Sequence, residues 1–161
     1  MIKPDRLREL LTQTIDTFKT NPEKLILQYD KGNIKSRGSK TPSFEYHYDL
    51  EIIVVDFPYH PDVLFVPVLT FIRNEQWELL QHPDLQNKIE FEIDRNNHDS
   101  YDIYIRIPLT ERVIVKEENG HFTATHAAEP NLADVAGFTH LTEYEVYLQN
   151  ELIYQWVKGN E

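Results

Sequence analysis

The sequence contains no cysteine, and only one methionine, two tryptophans and five glycines in 161 residues. Without cysteine there is no disulfide, no thiolate metal site and no cysteine nucleophile. Cations are scarce as well: 16 Lys and Arg stand against 27 Asp and Glu, a formal net charge of −11. Phosphate neutralisation needs a net supply of cations, so the balance argues against a general nucleic-acid binder. No apolar run reaches the roughly 20 residues that a membrane helix requires. The longest candidate, Val63 to Ile72, is broken by Pro67 and Thr70. The start, Met1 to Arg6, becomes charged at once and lacks the apolar centre of a secretory signal. The chain reads as a soluble intracellular product without a membrane partner. What it does have is 40% hydrophobic and 12% aromatic residues, enough apolar surface for the core of one domain.

Periodicity supplies the elements. Leu7, Leu10, Leu11, Thr14, Ile15 and Phe18 recur at spacings of three and four, which predicts a helix that starts near Pro4 and stops at Asn21-Pro22. Glu23 to Tyr29 reads as a short strand, and Asp30-Lys31-Gly32-Asn33 as a hairpin turn into Ile34 to Ser36. From Phe44 to Val55 the alternation is clear. Phe44, Tyr46, Tyr48, Leu50, Ile52 and Val54 share one face, and Ile53 and Val55 make the far end apolar on both faces. A second helix is expected to cover most of Asp62 to Leu80, with Leu64, Val68, Phe71 and Ile72 inward and Pro67 near its first turn or at a kink. Lys88 to Asp94 and Tyr101 to Leu109 should form a hairpin. A second should turn at Asn119-Gly120, and a last one at Gln149-Asn150. The order indicates an α+β fold: a mostly antiparallel sheet with two principal helices packed on it, plus a C-terminal β-hairpin. Residues 1–126 read as the α+β domain, 127–142 as a loop, and 143–161 as a hairpin belonging to that domain or serving as an assembly arm.

None of the patterns that carry chemistry is complete. Gly32 to Thr41 resembles a phosphate-binding loop, but its glycines are one residue too far apart and Ser39 separates Gly38 from Lys40. A nucleotide-binding enzyme using this loop is the weaker alternative. Asp94 to Asp99 resembles the opening of a calcium loop, yet Asp99 stands for the glycine and Ile105 for the terminal glutamate. The seven histidines show no HExxH or HxH spacing. No catalytic, cofactor-binding or metal-binding residue is assigned. Lys31, Lys35, Arg37 and Lys40 do stand out, as a basic stretch in an acidic chain, and suggest docking to an acidic surface. On the last hairpin Tyr147, Leu152, Tyr154 and Trp156 are candidate protein contacts, since an isolated hairpin is marginal and can complete a neighbour's sheet.

Several ordered blocks carry a family resemblance. They are Lys3 to Arg8 and Lys19 to Pro22; Ser43 to Tyr46 and Leu50 to Phe57; and Val66 to Leu69 with Arg73 to Gln76. Further on come Asn96-Asn97, Ser100, Asp102-Ile103, Leu109 to Arg112, Tyr147 to Leu152, and Trp156. Together they resemble the phage tail completion protein R family of contractile-tailed temperate bacteriophages. The departures are Asn150-Glu151 where Asn-Gly is expected and a poor match over 127–142. The resemblance implies a tail-terminator-like protein, not an enzyme and without cofactor, that finishes the head-proximal end of the tail tube for head joining. It implies a self-assembled ring, a hexamer as working expectation, that meets the tail tube protein and other tail or neck proteins. Packaged DNA would lie close to its lumen without being read by sequence. Its setting would be the host bacterial cytoplasm during assembly and then the virion tail. A head-closure or tube–sheath adaptor is the alternative within the same structure.

Overall fold

A computed structural model describes residues 1–96, 99–129 and 143–157. The first helical face forms α1, Lys3–Thr14, with Pro4 in its opening turn, where the missing N–H costs nothing. It buries Leu7 and Leu11. The helix does not run on to Asn21. At Ile15 the backbone is extended, φ −120° and ψ 109°, and a short α2 follows, Asp16–Thr20. Ile15 is fully buried at this break. The expected strand from Glu23 begins as a single 3-10 turn, Pro22–Lys24.

Strand β1, Leu25–Ser36, pairs along its length with β2, Phe44–Phe57. The hairpin turn expected at Asp30 to Asn33 is therefore absent; a bulge between Tyr29 and Gly32 takes up the extra residues within one strand. Gly32 suits that spot because a Cβ there would lie 3.3 Å from the His47 carbonyl oxygen. In β2, Tyr48, Leu50, Ile52 and Val54 are buried, as their alternation predicts. The far end is not apolar-covered on both faces: Ile53 is half-buried and Val55 exposed, because the helices lie on one face only. A second bulge follows, at which Asp56 takes φ 49° and Phe57 turns into the core. Aspartate tolerates this left-handed backbone better than most residues, and the Asp56 N–H donates to Asp102 Oδ1 at 2.8 Å.

Helix α3, Asp62–Glu75, buries Val63, Leu64, Pro67, Val68, Phe71 and Ile72. It covers most of the predicted Asp62 to Leu80 and is capped at Gln76, after which come the single turns α4, Glu78–Gln81, and α5, Pro83–Gln86. Strand β3, Glu90–Asn96, pairs with the first part of β4, Ser100–Glu118, and β5, His121–His126, pairs with its last part. The β4–β5 turn is at Asn119-Gly120, both with positive φ, as the dipeptide predicts. The main sheet has the order β1-β2-β4-β3, with β5 beside β4, and every pairing is antiparallel. Ile103, Ile105, Ile107 and Leu109 of β4 face the same core as β2. The calcium-like loop lies partly outside the described residues, at 97–98, as does most of the loop assigned to 127–142.

The C-terminal hairpin consists of β6, Glu143–Leu148, and β7, Glu151–Val157, and turns at Gln149 and Asn150, both with positive φ. Its inner face, Tyr144, Val146 and Tyr154, belongs to the main core cluster. Two of its hydroxyls satisfy backbone groups that the helices leave unpaired. Pro67 has no N–H for the carbonyl of Val63, four residues back, and Tyr144 donates to that oxygen at 3.3 Å. At the α1–α2 break Tyr154 donates to the Thr14 carbonyl at 2.7 Å and accepts the Asp16 N–H at 3.2 Å. Burial raises the pKa of both phenols, Tyr154 to about 12, so both remain donors. Tyr59 links the hairpin to the sheet, with ring centroids 5.0 Å from Tyr154 and 5.5 Å from Phe57.

Removal of the Tyr154 hydroxyl strands one buried carbonyl and one N–H, so Tyr154→Phe should lower stability by about 1–3 kcal/mol. Tyr147→Phe, at an exposed site, should leave it nearly unchanged. Chemical denaturation of the two variants compares them; equal midpoints would count against the capping role of Tyr154. Truncation after residue 142 should likewise lower the unfolding midpoint, since it uncovers the helical layer.

Candidate functional site

The row of β4 side chains that faces the helices runs Ile103, Ile105, Ile107, Leu109, and then Glu111. This carboxylate is 3% exposed. A buried charge needs partners, and four converge on it. The Ile2 N–H donates to Oε2 at 2.8 Å, the Lys3 N–H to Oε1 at 3.3 Å and the Tyr48 hydroxyl to Oε1 at 2.5 Å. His126 Nδ1 lies 2.9 Å from Oε2. Burial by itself would push the Glu111 pKa up, but the hydrogen bonds from Tyr48, Ile2 and Lys3 outweigh it and hold the pKa below the ordinary 4.5. Tyr48 moves the opposite way, raised first by burial and then by its bond to Glu111.

The same network closes a gap in the sheet. On the edge of β4 away from β2, no strand among the described residues pairs with residues 107–112, between β3 and β5. Gln76 stands in for one: its Oε1 accepts the Thr110 N–H at 3.0 Å and its Nε2 donates to Thr110 Oγ1 at 3.1 Å. Lys3 Nζ, 3% exposed, donates to Gln76 Oε1 at 2.8 Å and lies 2.8 Å from Glu129 Oε1. The arrangement tethers the N-terminus, the end of α3 and the chain leaving β5 to one strand. Among the described residues it holds no nucleophile paired with a base; the hollow beside Lys3 and Glu111 measures about 10 Å³, while Tyr48, Gln76 and Thr110 line a larger cleft of about 430 Å³.

The basic residues lie at the surface. Lys31 and Lys35 are on β1, Arg37 and Lys40 in the connection to β2, and all four are exposed. None has an ion-pair partner among the described residues. Lys35 and Arg37 line a groove of about 550 Å³ with Arg112, Phe44, Ile114 and Ser43. Lys31 instead borders a cleft of about 430 Å³, with His47, Asp49, Glu78, Lys88 and Thr110. The patch is thus one stretch of chain that serves two hollows. The suspected phosphate loop has neither the turn nor the helix it needs: Gly32 lies inside β1, and β2 follows the connection. Among the described residues no group of three or more His, Asp or Glu could hold a metal ion.

On the face of the sheet away from the helices, Arg106 pairs with Asp49 and lies 3.8 Å from Asp30 and 4.0 Å from Glu90. Tyr104 donates to Glu51 at 2.6 Å, which raises the phenol pKa to about 12 and, with a bond from Gln28, lowers that of the carboxyl. On the C-terminal hairpin the structure separates the four candidates. Tyr154 is buried and Trp156 half-buried against the core, whereas Tyr147 and Leu152 are 55% and 45% exposed. Sequence reasoning missed Glu111, Gln76 and Lys3. The legible signal was a lone acid where the alternation of β4 calls for an apolar residue.

The family described as P2 phage tail completion protein R (GpR) matches residues 1–130. The tail completion protein R of Escherichia phage P2 is 37% identical over 157 residues, which cover 97% of this chain and 99% of that protein. No solved structure matches significantly.

The depressed pKa of Glu111 fixes the sign of an acid effect. The unfolded chain takes up the proton more readily, so the contribution of this carboxylate to stability is full above pH 4.5 and disappears as pH falls through the lower folded value. Glu111→Gln should cost roughly 2–4 kcal/mol at neutral pH by leaving buried donors mismatched. It should also flatten the dependence of stability on pH below 4.5, measured by urea unfolding across pH. An unchanged acid limb would assign that dependence to other carboxylates.

Proposed function

The chain belongs to the phage tail completion protein R family, and on that premise we propose that it completes the phage tail at its head-proximal end, as a ring of identical copies that works by placement and transforms no molecule. The observation that carries the reading is the full-length relationship: 37% identity across 97% of this chain. The groups around Glu111 support it, because the Tyr48 hydroxyl, the Gln76 amide and the Ile2 and Lys3 N–H groups are engaged in bonds that hold the chain's own segments together.

A tube grows because each added ring offers the surface on which the next one docks. A completing protein must match that surface on one side and present a different one on the other. Recognition then rests on shape and charge at exposed positions. The four exposed cations Lys31, Lys35, Arg37 and Lys40, without an ion-pair partner among the described residues, are suited to an acidic neighbour, either a second copy or another tail or neck protein. Tyr147 and Leu152 offer exposed apolar contacts on the hairpin. No helix among the described residues is long and apolar enough to cross a membrane, and the reading requires none. Assembly would take place in the host cytoplasm, and the finished protein would reside in the virion tail.

A phage that lacks this gene should produce heads and tails that fail to join, or tails of abnormal length, with loss of plaques. Supplying the protein from a plasmid should restore infectivity. Electron microscopy of the lysates and plaque counts check this; normal infectious particles from the deletion would overturn the reading.

A further inference from the structure

We propose that copies of this chain join edge to edge, β1 of one against β3 of the next, so that the sheet runs on from subunit to subunit. The inference rests on the reading of the protein as a ring and specifies the contact that closes it. In the sheet order β1-β2-β4-β3, β1 and β3 are the outer strands on opposite sides. Every pairing between them is antiparallel, so β3 runs opposite to β1. A neighbour related by rotation about an axis along the strands therefore brings its β1 antiparallel to β3, which continues the existing pattern. An exposed strand edge is a row of unsatisfied N–H and C=O groups that readily accepts another strand.

Charge selects which edges meet. β1 carries Lys31 and Lys35, with Arg37 and Lys40 just beyond, and β3 carries Glu90, Glu92 and Asp94. Glu92 and Asp94 have no cationic partner among the described residues, and Glu90 has only Arg106 at 4.0 Å. Glu90, Glu92 and Asp94 stand opposite Arg106, Tyr104 and Asp102, and Lys35 opposite Glu45, so all four side chains lie on the sheet face turned away from the helices. Apolar side chains accompany them at both edges: Ile34 is 64% exposed on β1 and Phe91 58% on β3.

Two β1 edges would set lysine against lysine, and two β3 edges acid against acid. Both symmetric contacts are disfavoured, because like charges directly opposite one another repel. Only the head-to-tail contact satisfies both edges, and a contact between different surfaces of the same chain generates a ring when its rotation closes.

The test uses the full chain in two charge-reversed forms, one Lys31→Glu with Lys35→Glu, the other Glu92→Lys with Asp94→Lys. Sedimentation velocity up to submillimolar concentration should show the unaltered protein associating and each variant alone monomeric, with association weakened at least about a hundredfold. An equimolar mixture of the two should recover oligomers, because each variant then offers the edge the other needs. Circular dichroism melting should match the parent; if a variant does not fold, Lys35→Gln and Glu92→Gln replace the pairs, and each should weaken association about tenfold. Retained mass in either variant, failure of the mixture to reassociate, or a parent that stays monomeric throughout would overturn the proposal. Complementation of the gene deletion separates the two levels. Charge-reversed variants that stay monomeric yet restore plaques refute this contact and leave tail completion standing, whereas a deletion phage that is already normal removes the reading beneath it.

Discussion

A carboxylate stands where the pattern of β4 asks for a hydrocarbon, and much of the fold is arranged around that exception. Left alone, a charge buried to the degree of Glu111 would cost several kcal/mol. It is tolerated because the first turn of α1, the Tyr48 hydroxyl and His126 all converge on it. The donors come from the N-terminus and β2, and His126 at the end of β5 lies beside them, so one side chain ties three segments together. Gln76 and Lys3 extend the network to the end of α3 and to Glu129. A hydrocarbon at position 111 would contribute packing but could not specify these placements.

A similar economy of polar groups joins the C-terminal hairpin to the helices. The break at Ile15 and the proline at position 67 each leave backbone groups unpaired within their own helix. Tyr144 and Tyr154 reach those groups while their rings fill the core. The hairpin therefore contributes to the fold with its inner face and keeps Tyr147 and Leu152 outward. Packing and recognition are divided between the two faces of one ribbon, which follows from the alternation of side chains along a strand.

For a protein whose work is placement, the informative surface is what the core leaves unused. Among the described residues the cations of β1 are not spent on internal ion pairs, although the chain has eleven more acids than bases. Local charge, set against the sign of the whole, gives the molecule polarity across its sheet. Such polarity suits contacts that must occur in one orientation and must not repeat on the far side.

Periodicity alone determined the α+β class, the inward faces of β2, β4 and α3, and the turns at Asn119-Gly120 and Gln149-Asn150, because these depend on neighbours along the chain. The ordered blocks likewise made the family legible from one sequence. Tertiary structure alone decided the rest. Lys31 and Gly32 look like a turn until β2 lies alongside and draws them into a strand with a bulge. The Gln76 side chain at the end of α3 bonds to a strand edge 34 positions later in the chain, which no local pattern announces. Glu111 and its donors could not be assembled from spacing, since they lie 63 to 109 positions apart in sequence. Local pattern fixes which face a residue shows; which distant groups meet it depends on how the elements pack, and a single sequence does not encode that in any short-range signal.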